Sequence, residues 1–181
     1  MRATTIGFLL ALAAASPHAA DAPDRSGLHD FDFLVGDWTV HHRKLKTRLA
    51  GSDAWVAFDG TLSVRKLMDG AANVGDNVFG YPDGDARGAS LRAYDPKTGL
   101  WSSWWLDGRT PAGKLDPPIR GRFANGVGTF TADDTHDGRP IKVLTTWSRI
   151  TPTSAHWEQA WSADGGKTWE VNWTSDFQRT R

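Results

Sequence analysis

The segment AHWEQAWSADGGKTWEVNWTSDFQR, residues 155–179, decides the fold class of this chain. Apolar residues occupy most alternate positions in 157–161 and in 169–177, with polar residues between them. A period of two is typical of β-strands with one buried face. The Asp-Gly-Gly turn at 164–166 joins the two segments into a hairpin. Because a row of exposed indoles would promote aggregation, we expect one face of each strand to point inward, namely Trp157, Gln159, Trp161, Trp169, Val171, Trp173, Ser175 and Phe177.

Turn sequences divide the rest of the chain into similar short segments, and no segment keeps an apolar period of 3.6. The predicted strands cover about residues 37–47, 54–67, 72–81, 88–95, 100–107, 119–124, 127–133, 140–150, 155–162 and 168–179. Such sequence-local hairpins predict an all-β fold, an up-and-down antiparallel barrel of about 8–10 strands, because closure removes the edges of a sheet. A barrel of this size has room for one small ligand.

The same alternation predicts the inner face of most other strands. The expected inward residues are Val56, Phe58, Leu62, Val64, Val74, Asp76, Val78, Leu91, Ala93, Ile141, Val143, Thr145 and Trp147. Segment 100–107 carries indoles on both faces, so its inner face stays open. Asp76 stands out, because a buried carboxylate is costly unless it is paired. It either anchors a ligand or acts as an acid or base, or it pairs with a nearby Arg or reaches water.

Residues 1–20 have the features of a secretory signal. Arg2 precedes an apolar run at 6–15, which is too short to span a bilayer, and Ala19 and Ala20 precede Asp21. We therefore expect cleavage after Ala20 and a periplasmic or secreted protein, with no membrane span left after cleavage. Residues 21–30 are polar and are expected to form a flexible lead-in to a single β-barrel domain at 31–181.

Composition excludes several classes of function. Lys and Arg total 21, as do Asp and Glu, so no excess of positive charge supports nucleic-acid binding. The absence of Cys excludes disulfides, thiolate metal sites and Cys nucleophiles. The 10 Trp are more than a core of this size needs. An indole-lined cavity suits flat aromatic rings, sugar faces or cations.

Gly36-Asp37-Trp38 opens the first predicted strand and resembles the Gly-x-Trp signature of the lipocalins and the wider calycin barrels, in which that Trp closes the barrel base. FDFLVGDW at 31–38, WWLDGR at 104–109 and WEQAW at 157–161 are similar to an exported bacterial family of domains of unknown function. The resemblance implies a calycin-like barrel and brings no established activity. No later Arg-containing lipocalin segment is evident, and the Gly-rich first strand of the heme-binding nitrobindins is absent. No cofactor is expected.

Other motifs carry little chemistry. The acidic loop 133–138 resembles a Ca²⁺ loop, but the position that should hold the closing Glu is Leu144, so no metal site is expected. His41 and His42 are adjacent on a strand and point to opposite faces, so they cannot hold one ion together. No Gly-x-Ser-x-Gly, His-Glu-x-x-His or phosphate-binding glycine loop is present in the sequence.

These observations favour a barrel that binds a small, partly apolar ligand, aromatic or sugar-like, in a Trp-lined cavity. The predicted ligand-binding residues are Trp38, Trp105, Asp107, Arg109, Trp147, Gln159, Trp161 and Trp173. Asp107 and Arg109 start an irregular loop, 107–118, that is expected at one barrel mouth; Arg109 either binds an acidic ligand group or pairs with Asp107.

Two alternatives use the same fold. One is a cofactor-free acid/base enzyme, a lyase or isomerase, with His42 and Asp76 as its catalytic pair. The other is an envelope protein whose interior is filled by side chains. A roomy cavity argues against the filled barrel, and convergence of His42 and Asp76 on one point would favour the enzyme.

Overall fold

The computed structural model describes residues 24–180, which form ten strands and two short 3₁₀ turns. The strands are β1 (Gly36–Leu45), β2 (Trp55–Leu67), β3 (Ala72–Tyr81), β4 (Gly84–Asp95), β5 (Leu100–Asp107), β6 (Ile119–Ala124), β7 (Val127–His136), β8 (Arg139–Ser148), β9 (Ser154–Ser162) and β10 (Glu170–Arg179). The turns are Asp32–Leu34 and Met68–Gly70. Within residues 24–180, no helix has the length and apolar character needed to cross a membrane. The predicted signal at 1–20 lies outside the described residues.

Each strand pairs antiparallel with its neighbours in sequence, and β1 pairs with β10 to close the barrel. In the closing pair Trp38 lies opposite Arg179, and Lys44 lies opposite Trp173. This confirms the predicted all-β, up-and-down antiparallel barrel, with a strand number at the top of the predicted range.

Tight turns connect consecutive strands of the barrel. Asn125 and Gly126, for example, both have positive φ (51° and 76°), which a two-residue hairpin turn of this kind requires.

Aromatic packing closes one end of the barrel. Phe31, just before the first 3₁₀ turn, and Leu34, at its end, are buried against Trp38 and Trp101. The Trp38 indole donates a hydrogen bond to the Leu34 carbonyl at 2.8 Å. Trp38 therefore lies at the base, as the Gly-x-Trp resemblance implies. Residues 24–30 also contact this end, where Gly27 accepts a hydrogen bond from the Trp101 indole at 2.9 Å.

An arginine from the last strand also stabilises this end of the barrel, a role that the sequence pattern did not predict. The Arg179 guanidinium lies 4.2 Å from the centre of the Trp38 ring. It donates hydrogen bonds to the carbonyls of Phe33, Val35 and Pro152. These bonds tie the N-terminal turn and the β8–β9 loop to the final strand, so the base is closed by packing and by charge-assisted hydrogen bonds.

The predicted orientation of β3 and β4 is wrong. Val74, Asp76, Val78, Leu91 and Ala93 face outward; Leu91 is 40% exposed and the Asp76 side chain is 66% exposed. The inner positions are instead Asn73, Gly75, Asn77, Phe79, Tyr81, Ala86, Gly88, Ser90, Arg92 and Tyr94. The rule that the apolar face points inward fails here, because these strands turn glycines, polar groups and three aromatic rings toward the interior and keep aliphatic residues outside.

A β-bulge in β10 explains the other orientation error. The register with β9 shifts between Val171 and Trp173, which moves the residues before the bulge to the opposite face. Trp169 and Val171 are consequently 38% and 39% exposed, not inward as predicted. After the bulge the prediction is correct. On β5 the inner face carries Trp101, Trp105 and Asp107, which resolves the ambiguity left by the sequence.

Candidate functional site

A cavity of about 630 Å³ occupies the barrel interior above the closed base. Its volume is in the range of small-molecule sites. The walls carry a group of aromatic side chains: Phe79, Trp105, Trp147, Trp157, Trp161 and Trp173. Asp116 and Pro117 of the β5–β6 loop border it, which agrees with the predicted loop at one mouth.

Most of the predicted ligand-binding residues line this one cavity. They are Trp105, Asp107, Arg109, Trp147, Gln159, Trp161 and Trp173. Trp38 is the exception, because its ring is buried in the base beneath the cavity, where it packs against Phe177. A direct role in ligand binding stays a prediction for each of the seven that line the cavity.

Glycines on the inner face let the large rings lie close to the wall. A Cβ atom at Gly88 would stand 2.1 Å from the Trp105 ring, and one at Gly60 would stand 2.3 Å from the Val78 carbonyl oxygen and 3.0 Å from the His42 ring. A larger residue at position 88 would therefore displace an aromatic ring, and one at position 60 would displace the backbone of β3. The shape of the cavity thus depends on glycines that lie next to aromatic rings on the inner surface.

His42 lies in the cavity wall as a neutral imidazole. Its Nδ1 is 2.8 Å from the Ser175 hydroxyl and 3.4 Å from the Trp173 indole nitrogen. An indole N–H can only donate, so Nδ1 accepts and the ring proton is assigned to Nε2. The ring stacks on Phe58 with centroids 4.9 Å apart. Burial, with a smaller contribution from the neighbouring His41, lowers the pKa of His42 from 6.5 to about 4.

The predicted catalytic pair does not form. His42 lies inside the barrel, whereas Asp76 lies outside it, with a carboxylate oxygen 3.7 Å from Arg87. This matches the alternative interpretation of Asp76 as the partner of a nearby arginine. The other predicted acidic residue is also paired: Asp107 accepts a hydrogen bond from Arg109 Nε at 2.9 Å. That pairing, together with the Arg109 backbone N–H, lowers the pKa of Asp107 to about 2.

Two basic side chains lie over indoles on the β1 side of the barrel. The Lys44 ammonium is 4.3 Å from the centre of the Trp173 ring and 3.4 Å from the Tyr81 hydroxyl, to which it donates. The Arg48 guanidinium lies 4.7 Å from the centre of the Trp161 ring. Burial, and then repulsion from Arg48 and Arg109, lower the pKa of Lys44 to about 8. Lys44 is therefore mostly protonated at neutral pH and loses its charge as the pH rises above about 8.

The sequence missed the most deeply buried charge in the cavity wall. Arg92 is 7% exposed, and its guanidinium lies 5.1 Å from the centre of Phe31, which caps the base. Its Nη1 donates to Asn73 Oδ1 at 3.1 Å. Asn73, Ser90 and Arg92 lie on the same face of β3 and β4 as the aromatic residues Phe79 and Tyr81. This shared face is the pattern by which the sequence could have indicated Arg92.

A second, more open groove of about 870 Å³ lies on the outer surface across β1, β2, β9 and β10. His156 borders it and contacts Asp176 at 2.6 Å and Glu158 at 3.0 Å. His156 and Glu158 point outward, as the alternation predicted. Among residues 24–180, no group of three or more His, Asp or Glu side chains is arranged to hold a metal ion.

The fold and the cavity place this chain among the closed β-barrels that enclose a ligand-sized interior. No family model and no curated protein matches the sequence. Solved structures do match: Rv2717c from M. tuberculosis has 11% identity and a TM-score of 0.59, covering 86% of this chain and 98% of that one. The S-type phycobiliprotein lyase CPES from Guillardia theta has 11% identity and a TM-score of 0.54, covering 83% and 90%. These likenesses establish the barrel fold alone; the narrower calycin family stays a prediction.

Proposed function

We propose that this protein binds one small, partly apolar ligand, with a flat aromatic or sugar-like face, inside the barrel. The observation that carries the proposal is the cavity of about 630 Å³ between aromatic walls. Protein interiors are normally close-packed, and leaving apolar side chains without contacts costs stability. An indole-walled space of this size is best accounted for by a guest that restores those contacts.

The structure also favours this proposal over the two alternatives. A filled barrel would leave no such space. The acid/base enzyme was predicted to use His42 and Asp76, and these two residues lie on opposite faces of the barrel wall. With that pair separated, binding without turnover is the function that the geometry supports best.

The neutral fluorescent probe N-phenyl-1-naphthylamine tests this proposal, because its emission rises in apolar surroundings. We expect saturable binding to one site. The Ala132→Phe substitution would fill part of the cavity and lower the affinity for the probe at least tenfold. The control Thr131→Phe, on the exposed face of the same strand, would leave the affinity unchanged. No saturable response to this probe or to a panel of aromatic, sugar and lipid ligands would overturn the proposal.

We also propose that the protein is exported to the periplasm or beyond, on the strength of the signal-like segment at 1–20. Mass spectrometry of protein recovered from periplasmic and culture fractions should find Asp21 at the N-terminus. Full-length chain retained in the cytoplasm would contradict the proposal.

A further inference from the structure

We infer that the ligand is an organic anion whose acidic group pairs with the Arg92 guanidinium at the cavity floor, while its aromatic body lies between the indoles above. The inference rests on the proposed function, since it names the chemical class of ligand for the same cavity. Three observations carry it: Arg92 has no anionic partner, it lies beside the cavity, and most of its N–H donors are unused.

Arg92 is a buried cation without an anionic partner. No carboxylate in the described residues 24–180 lies within ion-pair distance of it, and its side-chain hydrogen-bond partner is the neutral amide of Asn73. Burial alone lowers the pKa of Arg92 to about 10, so the group stays charged at neutral pH. An unpaired buried charge destabilises the folded protein, and an anion supplied by a ligand would offset that cost.

The surroundings of Arg92 suit the end of a ligand. The guanidinium lies over Phe31 and 5.9 Å from the centre of the Trp147 ring, and these rings hold it in place. The buried hydroxyls of Ser90 and Thr145 border the same part of the cavity. A guanidinium has five N–H donors, and one of them is used by Asn73. The remaining donors form the planar fork that binds a carboxylate through two hydrogen bonds.

Both cations and carboxylates lie around the upper part of the cavity. Asp107 is neutralised by Arg109, whereas Lys44 has no ion-pair partner among residues 24–180. The Nε of Arg48 is buried and has no hydrogen-bond acceptor in that same part of the chain. The cavity lining also includes the carboxylates of Asp83, Asp116, Asp133 and Asp134, so the preference for an anion is assigned to Arg92 at the floor and not to the charge of the mouth.

A matched pair of probes separates this inference from the proposed function. The anion 8-anilinonaphthalene-1-sulfonate and the neutral N-phenyl-1-naphthylamine share one aromatic frame and differ in the sulfonate. We expect the wild-type protein to bind the anion at least tenfold more tightly. Arg92→Met should abolish that preference without weakening the neutral probe, and Arg65→Met, an exposed position on the outer face of β2, should leave it unchanged.

The outcomes are distinct. If neither probe binds, the proposed function fails. If the neutral probe binds but the anion is not preferred, or if the preference survives Arg92→Met, the anion inference fails and the proposed function stands.

A second measurement needs no variant, in case Arg92→Met does not fold. Displacement of the neutral probe from wild-type protein by 1-naphthoate and by 1-naphthamide compares a carboxylate with its uncharged isostere. We expect at least tenfold tighter binding of the carboxylate. Equal affinities would refute the role of Arg92 as an anion site.

Discussion

His42 should make the barrel sensitive to mild acid. The ring is buried among Phe58, Phe79 and Trp173, and its Nδ1 accepts hydrogen bonds, so the folded state resists protonation. The pKa of His42 is about 4 in the folded protein, against 6.5 for an unperturbed histidine. Between these two values the unfolded chain binds the extra proton and the folded chain does not. The free energy of unfolding is therefore highest above about pH 6.5 and falls as the pH approaches 4.

The size of the effect follows from the two pKa values. One pKa unit corresponds to about 1.4 kcal/mol, so acidification from about pH 7 to about pH 4.5 should lower the free energy of unfolding by about 2 kcal/mol through this group. Carboxylates with lowered pKa values, such as Asp107, add their own losses only below about pH 4. The window from pH 6.5 to 4.5 thus separates the histidine from these carboxylates.

Urea unfolding, followed by tryptophan fluorescence at several pH values, measures this slope. His42→Phe keeps an aromatic ring and removes the titrating group, so its loss of stability between about pH 7 and pH 4.5 should be smaller than that of the wild type by about 2 kcal/mol. The matched control is His41→Phe on the same strand, where the native ring is outside the barrel and 2.8 Å from Asp59. A pH dependence in His42→Phe as steep as that of the wild type would refute the reasoning.

Two further predictions concern the wall and the mouth of the cavity. Gly88→Val should displace the Trp105 indole, 2.1 Å from the new Cβ, and lower the free energy of unfolding by about 1–3 kcal/mol in thermal or urea denaturation; an unchanged stability would contradict the close packing of that ring. The affinity for 8-anilinonaphthalene-1-sulfonate should fall as the pH rises through 8, because Lys44 loses its proton there. Lys44→Met should remove this pH dependence, whereas Lys46→Met, at an exposed position, should keep it.

The barrel could be predicted because its local signals agree with one another. The hairpin at 155–179 combines a period of two with a glycine turn, and the same combination recurs along the chain. The Gly36-Asp37-Trp38 motif correctly predicted that Trp38 lies at the base of the barrel. Antiparallel neighbours joined by short turns leave few topologies other than a meander, and a meander of this length closes.

The inner faces of β3 and β4 could not be predicted by the same rule. The rule assumes that the more apolar face is buried, and it therefore placed Val74, Val78 and Leu91 inside. A barrel with a cavity has a different interior from a packed core, because the cavity wall needs glycines beside rings and polar groups for the guest. The bulge at Asn172 was equally hidden, since a one-residue insertion leaves no sequence signal until the register of both strands is known.

The failures of the rule therefore have a common location. Asn73, Asn77, Ser90 and Arg92 all lie on the inner face of β3 and β4, next to the cavity, and they are costly to bury for stability alone. The strands β8 to β10 carry four indoles on their inner faces and follow the predicted orientation, apart from the bulge. The inner face of β3 and β4 thus places a cation and neutral donors next to the aromatic rings that line the rest of the cavity. That combination matches a guest with one flat apolar face and one acidic end, and it is the reason that Arg92 is the first residue to test.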